Sequence, residues 1–214
     1  MKDLYLIGGG GFASEVLFVI ERISKIEKKW KSIFIVDDVK ENGDKVREYQ
    51  VVGNIDYLHQ LKEDIDVIIT INDPEPRKNI IETLKAKKKN VNFPNIFDTT
   101  SIVDEKYLTI GEGNIIMHYV ILSTKLVIGN FNIFNSYAGI GHDSVMGDYN
   151  SFNPRVAISG KVIINDLNSF GVNSTVLQNK KIGSRNQIWL NTTIVKNLKD
   201  DGTYFGIPAK KVEV

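Results

Sequence analysis

Two different hydrophobic periods divide this chain. Up to about residue 95, short apolar runs alternate with stretches of helical spacing. Leu4 to Ile7 is an apolar run of strand length, and four glycines, Gly8 to Gly11, follow it. From Phe12 to Ile26 the residues Val16, Leu17, Val19, Ile20 and Ile23 fall on one helical face. Ile33 to Val36 reads as a second strand, ending in Asp37-Asp38, and Ile65 to Ile71 as a third. Arg77 to Lys88 reads as a helix with Ile80, Ile81 and Leu84 turned inward. Strand, helix, strand, then strand and helix, predicts a small parallel α/β sheet. Pro94 and the polar stretch from Asp98 to Ser101 mark its end, so we divide the chain into domains 1–95 and 96–214.

From Ile110 the period changes to six. Ile110, Ile116, Leu122, Ile128, Phe134, Ile140, Met146, Phe152, Ile158, Ile164, Phe170, Val176, Ile182, Ile188 and Ile194 are all large and apolar. The next residue is often glycine (111, 129, 141, 147, 171 and 183), and the fourth residue after the large apolar one is often small, β-branched or asparagine, as at Val120, Ala138 and Ser144. A period of six is neither that of a helix nor simple strand alternation. A short strand and a turn, repeated, stack into a parallel β-helix in which the large residue fills the interior. The adjacent glycine is expected to permit the corner. Each unit buries its apolar face only against its neighbours. At three hexads per triangular coil, the fifteen hexads give about five coils. The general handedness of parallel crossovers is right, and nothing in the spacing overrides it.

Composition narrows the function classes. Lys plus Arg number 27 against 26 for Asp plus Glu, and this balance gives no electrostatic case for nucleic acid or an anionic membrane surface. No cysteine is present, which excludes disulfides, thiolate catalysis and Cys-ligated zinc. His59, His118 and His142 are too scattered to argue for a metal site. No run approaches the ~18 apolar residues of a membrane span. The N-terminus enters a strand without a signal-peptide pattern, so a cytoplasmic location is expected.

Two motifs carry candidate chemistry. Tyr137-Ala-Gly-Ile-Gly-His142-Asp143 interrupts the repeat. A neutral imidazole suits proton removal from an attacking nucleophile, and a neighbouring carboxylate orients the ring and stabilises the imidazolium. The same residues also fit an exposed turn histidine beside a solvated acid. The second motif is Gly8 to Gly11 between strand and helix, a backbone cradle for phosphate at an electropositive helix N-terminus. It approximates the dinucleotide fingerprint, with Ala13 displacing the last glycine. Residues 18 apart stack in a three-hexad coil, so Gly160 lies one coil above His142. Its amide suits an oxyanion donor, and a corner glycine chosen for its backbone angles is the plainer reading.

The Ile-Gly-x-x-x-x repeats and the ending Phe205-Gly-Ile-Pro-Ala-Lys210 resemble the hexapeptide-repeat acyltransferases. A Gly-rich nucleotide-binding domain joined to such a β-helix is similar to the sialic acid O-acetyltransferase-like group. That group includes N-acetyltransferases of nucleotide-linked 4-amino sugars of the bacillosamine, perosamine and viosamine type. The resemblance implies a left-handed β-helix, a homotrimer with active sites at subunit interfaces, and transfer of acetyl from acetyl-CoA to the 4-amino group of a nucleotide-linked amino sugar. It also implies a place in bacterial surface glycan (O-antigen or lipopolysaccharide) biosynthesis. It assigns His142 as general base with Asp143 beside it, and Gly160, Ser151 and Val172 to coenzyme A. Gly10, Gly11, Phe12, Asp37, Asp38, Asn72, Arg77 and Asn135 are assigned to the nucleotide sugar, with Arg77 reaching a phosphate. No metal is implied. Phe12 stands where bacillosamine-pathway relatives carry histidine and Asn72 where they carry glycine, which leaves base and sugar open. His118 reads as a surface residue, on a different side from His142, and His59 as structural. Transfer to a sugar hydroxyl and a non-catalytic nucleotide-sugar-binding β-helix are the alternatives. An NAD-dependent oxidoreductase would rest on the glycine loop alone.

Overall fold

The structure, a computed structural model, describes residues 1–213. It divides into two compact units, Met1–Pro94 and a second from Asn95 onward.

The first unit is built on a parallel sheet. Its elements are β1 (Leu4–Ile7), α1 (Gly11–Ile26), β2 (Ile33–Val36), β3 (Lys45–Val46), β4 (Tyr49–Gln50), α2 (Ile55–Gln60), β5 (Ile65–Ile69), α3 (Pro74–Lys87) and β6 (Val91–Asn92). The four-stranded sheet has the order β2-β1-β5-β6, all parallel, while β3 and β4 form a separate hairpin. β1 is buried along its whole length, as a central parallel strand covered on both faces must be. The α1 residues picked out by spacing, Val16, Leu17, Val19, Ile20 and Ile23, are its buried stripe. Helix α3 starts at Pro74 rather than Arg77 because proline at the first helical position arrives with its φ already set and lacks only an N–H that would be unpaired anyway.

The second unit is a parallel β-solenoid of about six turns, consistent with a left-handed β-helix. Its strands stack into three sheets, which we call faces 1, 2 and 3. They run through Ile133–Phe134, Gly139–Ile140 and Val145–Met146 respectively. Register along each face is 18 residues, as in Ile133↔Ser151↔Ser169 and Ile140↔Ile158↔Val176. The large residue of every hexad points inward, and Phe134, Phe152 and Phe170 stack with centroids 4.8 and 5.0 Å apart. The repeat also reaches back beyond Ile110, out of frame. Phe97 pairs with Ile116 and Val103 with Leu122, because the short 3₁₀ turn Glu105–Tyr107 adds one residue to the first coil. That coil is the one the uninterrupted six-residue count leaves out.

The corners correct one expectation. Every sixth residue from Tyr119 to Asn191 has φ between 53° and 62°, and none of these is glycine. The left-handed position is thus two residues beyond the frequent glycine. At about 1–2 kcal/mol per L-residue this conformation is costly, and bonding between coils offsets it. The corner N–H donates to the preceding coil, as Asp143 N does to Thr124 O at 3.1 Å. The glycines serve close approach instead. A Cβ at Gly141 would lie 2.5 Å from Gly160 N, and one at Gly171 2.6 Å from Leu190 N. A different corner carries a buried asparagine ladder. Asn132, Asn150, Asn168 and Asn186 each direct backbone N–H and side-chain NH₂ to the Oδ1 of the asparagine one coil earlier, at 2.8–3.1 Å.

Candidate functional site

In the first unit, Gly8 to Gly10 leave β1 and enter α1. Gly8 has φ 102°, a value suited to glycine, and Thr70 Oγ1 beneath it donates to Ile7 O and Gly8 O at 2.9 and 2.7 Å. Gly10 is the N-cap of α1, without a side-chain cap, and a Cβ at either Gly10 or Gly11 would meet nothing within 4 Å. The first amides of a helix have no partners within it, so this open end has the geometry that suits an anion. A cleft of about 320 Å³ lies against the loop, lined by Gly8, Gly9, Gly10, Asp37, Asp38 and Ile55 among others. Phe12, in the first turn of α1, is half-buried.

The two aspartates at the end of β2 are engaged with backbone. Asp37 Oδ2 accepts from Gly9 N at 2.6 Å, and its Oδ1 from Val39 N and Lys40 N at 2.9 Å each. Partial burial would raise this carboxyl, yet the three amide hydrogen bonds and the nearby Lys40 hold it below the usual carboxylate range. Asp38 Oδ1 accepts from Ile55 N at the start of α2, at 3.2 Å. Asp37 thus ties together the two loops that wall the cleft. Arg77 is placed differently from the phosphate-binding arm expected of it. Its guanidinium is buried, at 1% exposure, and Nη1 donates to Ile71 O and Asn72 O at 2.9 Å each. From α3 it braces the loop after β5, because carbonyls freed at the strand end need donors. Asn72 sits in that braced loop. His59, in α2, pairs with Asp56 at 3.2 Å.

In the second unit, His142 and Asp143 occupy the corner after the face 2 strand Gly139–Ile140. His142 Nδ1 donates to Asp143 Oδ2 at 2.7 Å. A carboxylate accepts only, so the proton sits on Nδ1 and Nε2 is left as the basic nitrogen. The His142 hydrogen bond holds the Asp143 carboxyl below its usual range, with smaller help from Lys125 and Lys161, which lie one coil before and one coil after it in the same column. The His142 ring lies against Gly160, where a Cβ would come within 2.6 Å of Nε2. Lys161 N donates to His142 O at 2.8 Å, and among the described residues the Gly160 amide has no acceptor. A basic nitrogen, its orienting carboxylate and an open backbone donor therefore meet at one corner.

Other expected residues lie elsewhere on the solenoid. Asn135 and Val172 occupy the preceding corner, between faces 1 and 2. Asn135 Oδ1 accepts from Ser136 N at 2.7 Å, closing its own turn. Val172 is exposed. Ser151 lies on face 1 and is fully buried, so it presents no open surface to a coenzyme. His118 is in the Asn135 corner, against Ser136 Oγ (Nε2 at 2.9 Å) and edge-on to Tyr119 and Tyr137. Among the described residues no His, Cys, Asp or Glu group could hold a metal ion.

Comparison with known proteins bears on both units. Residues 3–84 match the family model described as the PglD N-terminal domain. Perosamine N-acetyltransferase from Caulobacter crescentus, solved as a mutant with CoA and GDP-perosamine, superposes with a TM-score of 0.91 at 23% identity, covering 100% of this chain and 98% of that one. The fold is shared. The acetyltransferase domain of PglB from Neisseria gonorrhoeae, in complex with acetyl coenzyme A, gives 0.90 at 22% identity, with 99% of each chain covered. WeeI from Acinetobacter baumannii gives 0.84 at 21% identity, covering 99% of this chain and all of the other. No curated protein sequence matches the chain. Among the described residues no helix is long and apolar enough to cross a membrane.

Proposed function

We propose that this protein is an acetyltransferase that moves acetyl from acetyl-CoA to the amino group of a nucleotide-linked amino sugar. The observation that carries the reading is the corner where Asp143 orients His142 at 2.7 Å and the Gly160 amide lies beside the ring. Its support is the fold shared with a perosamine N-acetyltransferase solved with CoA and GDP-perosamine. As the amine attacks the thioester carbonyl, His142 Nε2 takes the proton that nitrogen must lose. Asp143 keeps the ring in the right tautomer and steadies the imidazolium. The tetrahedral oxyanion is met by the Gly160 N–H. On collapse the C–S bond breaks and the thiolate of CoA leaves, recovering the proton through His142. The cleft beside Gly8 to Gly10 takes the nucleotide. The working assembly is a homotrimer with active sites at subunit interfaces, and the product belongs to surface glycan biosynthesis.

The test is release of free CoA from acetyl-CoA against UDP-, dTDP- and GDP-linked 4-amino sugars, with free sialic acid as the hydroxyl control. Turnover with an amino sugar is expected. Turnover with sialic acid alone would replace the N-acetyl reading by an O-acetyl one, and silence across the panel would remove the acyl-transfer reading.

A further inference from the structure

The cleft proposed for the nucleotide has a charge problem. A nucleoside diphosphate brings at least two negative charges, yet the charged side chains lining the cleft are Asp37 and Asp38. The cation expected to meet the phosphates, Arg77, is buried and committed to the carbonyls of Ile71 and Asn72. Backbone donors are also fewer than the glycine loop suggests, because Gly9 N is already given to Asp37.

Lys40 is not one of the residues lining the cleft, but its stem lies beside it, against Gly9. Its aliphatic stem packs on the Gly9 backbone, so that a Cβ at Gly9 would sit 2.9 Å from Lys40 Cδ and 3.1 Å from Cε. Its own N–H is held by Asp37 Oδ1 at 2.9 Å while Oδ2 of the same carboxylate holds Gly9 N. The side chain is exposed, and its ammonium is bonded to no carboxylate among the described residues. A flexible, solvated lysine loses much of its pairing energy in ordering the chain. Here the stem is already laid down along the loop, and the entropic cost is partly met before a ligand arrives.

We infer that Lys40 is the cation that binds the diphosphate of the nucleotide sugar, and that Asp37 is the positioning residue that presents it. The inference rests on the cleft being the nucleotide site. Asp37 fastens the loop carrying Lys40 to the glycine loop, which lays the lysine stem against Gly9, next to the open amides at the start of α1. This gives Asp37 a function other than contact with the base or ribose. Its oxygens are taken by three amides, and although its charge is felt by Lys40 the two form no direct ion pair.

The experiment compares UDP and GDP with uridine and guanosine in calorimetric binding to the full chain. The variants are Lys40→Met, which keeps an unbranched stem over Gly9, and Lys40→Arg, which keeps the charge. Lys40→Met is expected to weaken the diphosphates by about tenfold or more while the nucleosides bind as before. Its residual diphosphate affinity should vary less with salt, and Lys40→Arg should restore most of the loss. Unchanged diphosphate affinity in Lys40→Met would overturn the inference, as would an equal loss for diphosphates and nucleosides. If the unaltered protein bound no nucleoside diphosphate, the assignment of the cleft itself would fall, which is a different result from failure of the lysine.

Discussion

At the scale of single residues, a side chain's type suggested its chemistry and its partners decided its use. His142 illustrates agreement: the Asp143 hydrogen bond that the neighbouring sequence positions suggested is formed, at 2.7 Å. His142→Ala is expected to lower kcat by about 10²–10⁴-fold with a nearly unchanged unfolding midpoint, because the side chain is half exposed and its ring lies against Gly160. Stopped-flow or steady-state CoA release together with thermal melting checks both halves of this statement. Asp37 illustrates a use the sequence did not show. Its carboxyl is held below the usual range in the folded chain, so by linkage it adds stability at pH values above the ordinary carboxylate pKa of about 3.9. That contribution is lost as pH falls through the lower folded value. Asp37→Asn should lower stability at neutral pH and flatten this acid dependence, read by urea unfolding across pH 2–6. Equal pH profiles for the two proteins would contradict the role given to its three amide bonds.

Elements are the scale at which periodicity was most informative and least complete. Six-residue spacing placed the inward residues correctly from Ile116 to Ile194, since a large side chain at each strand is the only way a narrow solenoid fills its interior. It did not show which corner residue carries the unusual backbone. Frequency pointed to the glycines, whereas the left-handed residues are tyrosines, lysines, asparagines and others two positions later. Two glycines of neighbouring coils separate the consequences. Gly141→Ala would force a Cβ against the Gly160 backbone and is expected to cost about 1–3 kcal/mol of stability. Gly160→Ala meets instead the movable ring of His142. It should leave stability nearly intact while lowering kcat by at least about tenfold, since a misplaced base is a poor one. Chemical denaturation paired with turnover distinguishes the two. Loss of stability in both variants, with activity following stability, would remove Gly160 from the site.

For the whole molecule, the fold is shared with two acetyltransferase structures and with WeeI at 21–23% identity. Such conservation of form without sequence is what a repeat architecture permits: many residue choices satisfy the same stacking rule. The chemistry proposed uses a base, a carboxylate and an amide. Activity is therefore expected to survive exhaustive chelation. Loss of turnover in EDTA that returned on adding a divalent cation would contradict the mechanism.

The sequence by itself determined the two periods, and with them an α/β unit followed by a solenoid, because burial of apolar side chains is the strongest demand on a chain and leaves a periodic record. It also marked the glycine loop and the His142-Asp143 pair, which are contiguous and need no folding to be seen. Only the tertiary structure decided what distant groups do to one another. The burial of Arg77 under the β5 loop, the joining of Gly9 to Lys40 through Asp37, and the first coil offset by one residue all depend on contacts across the chain. Hydrogen bonds of this kind are short-ranged and directional, so they leave no period along the sequence and become visible only when the chain has brought their partners together.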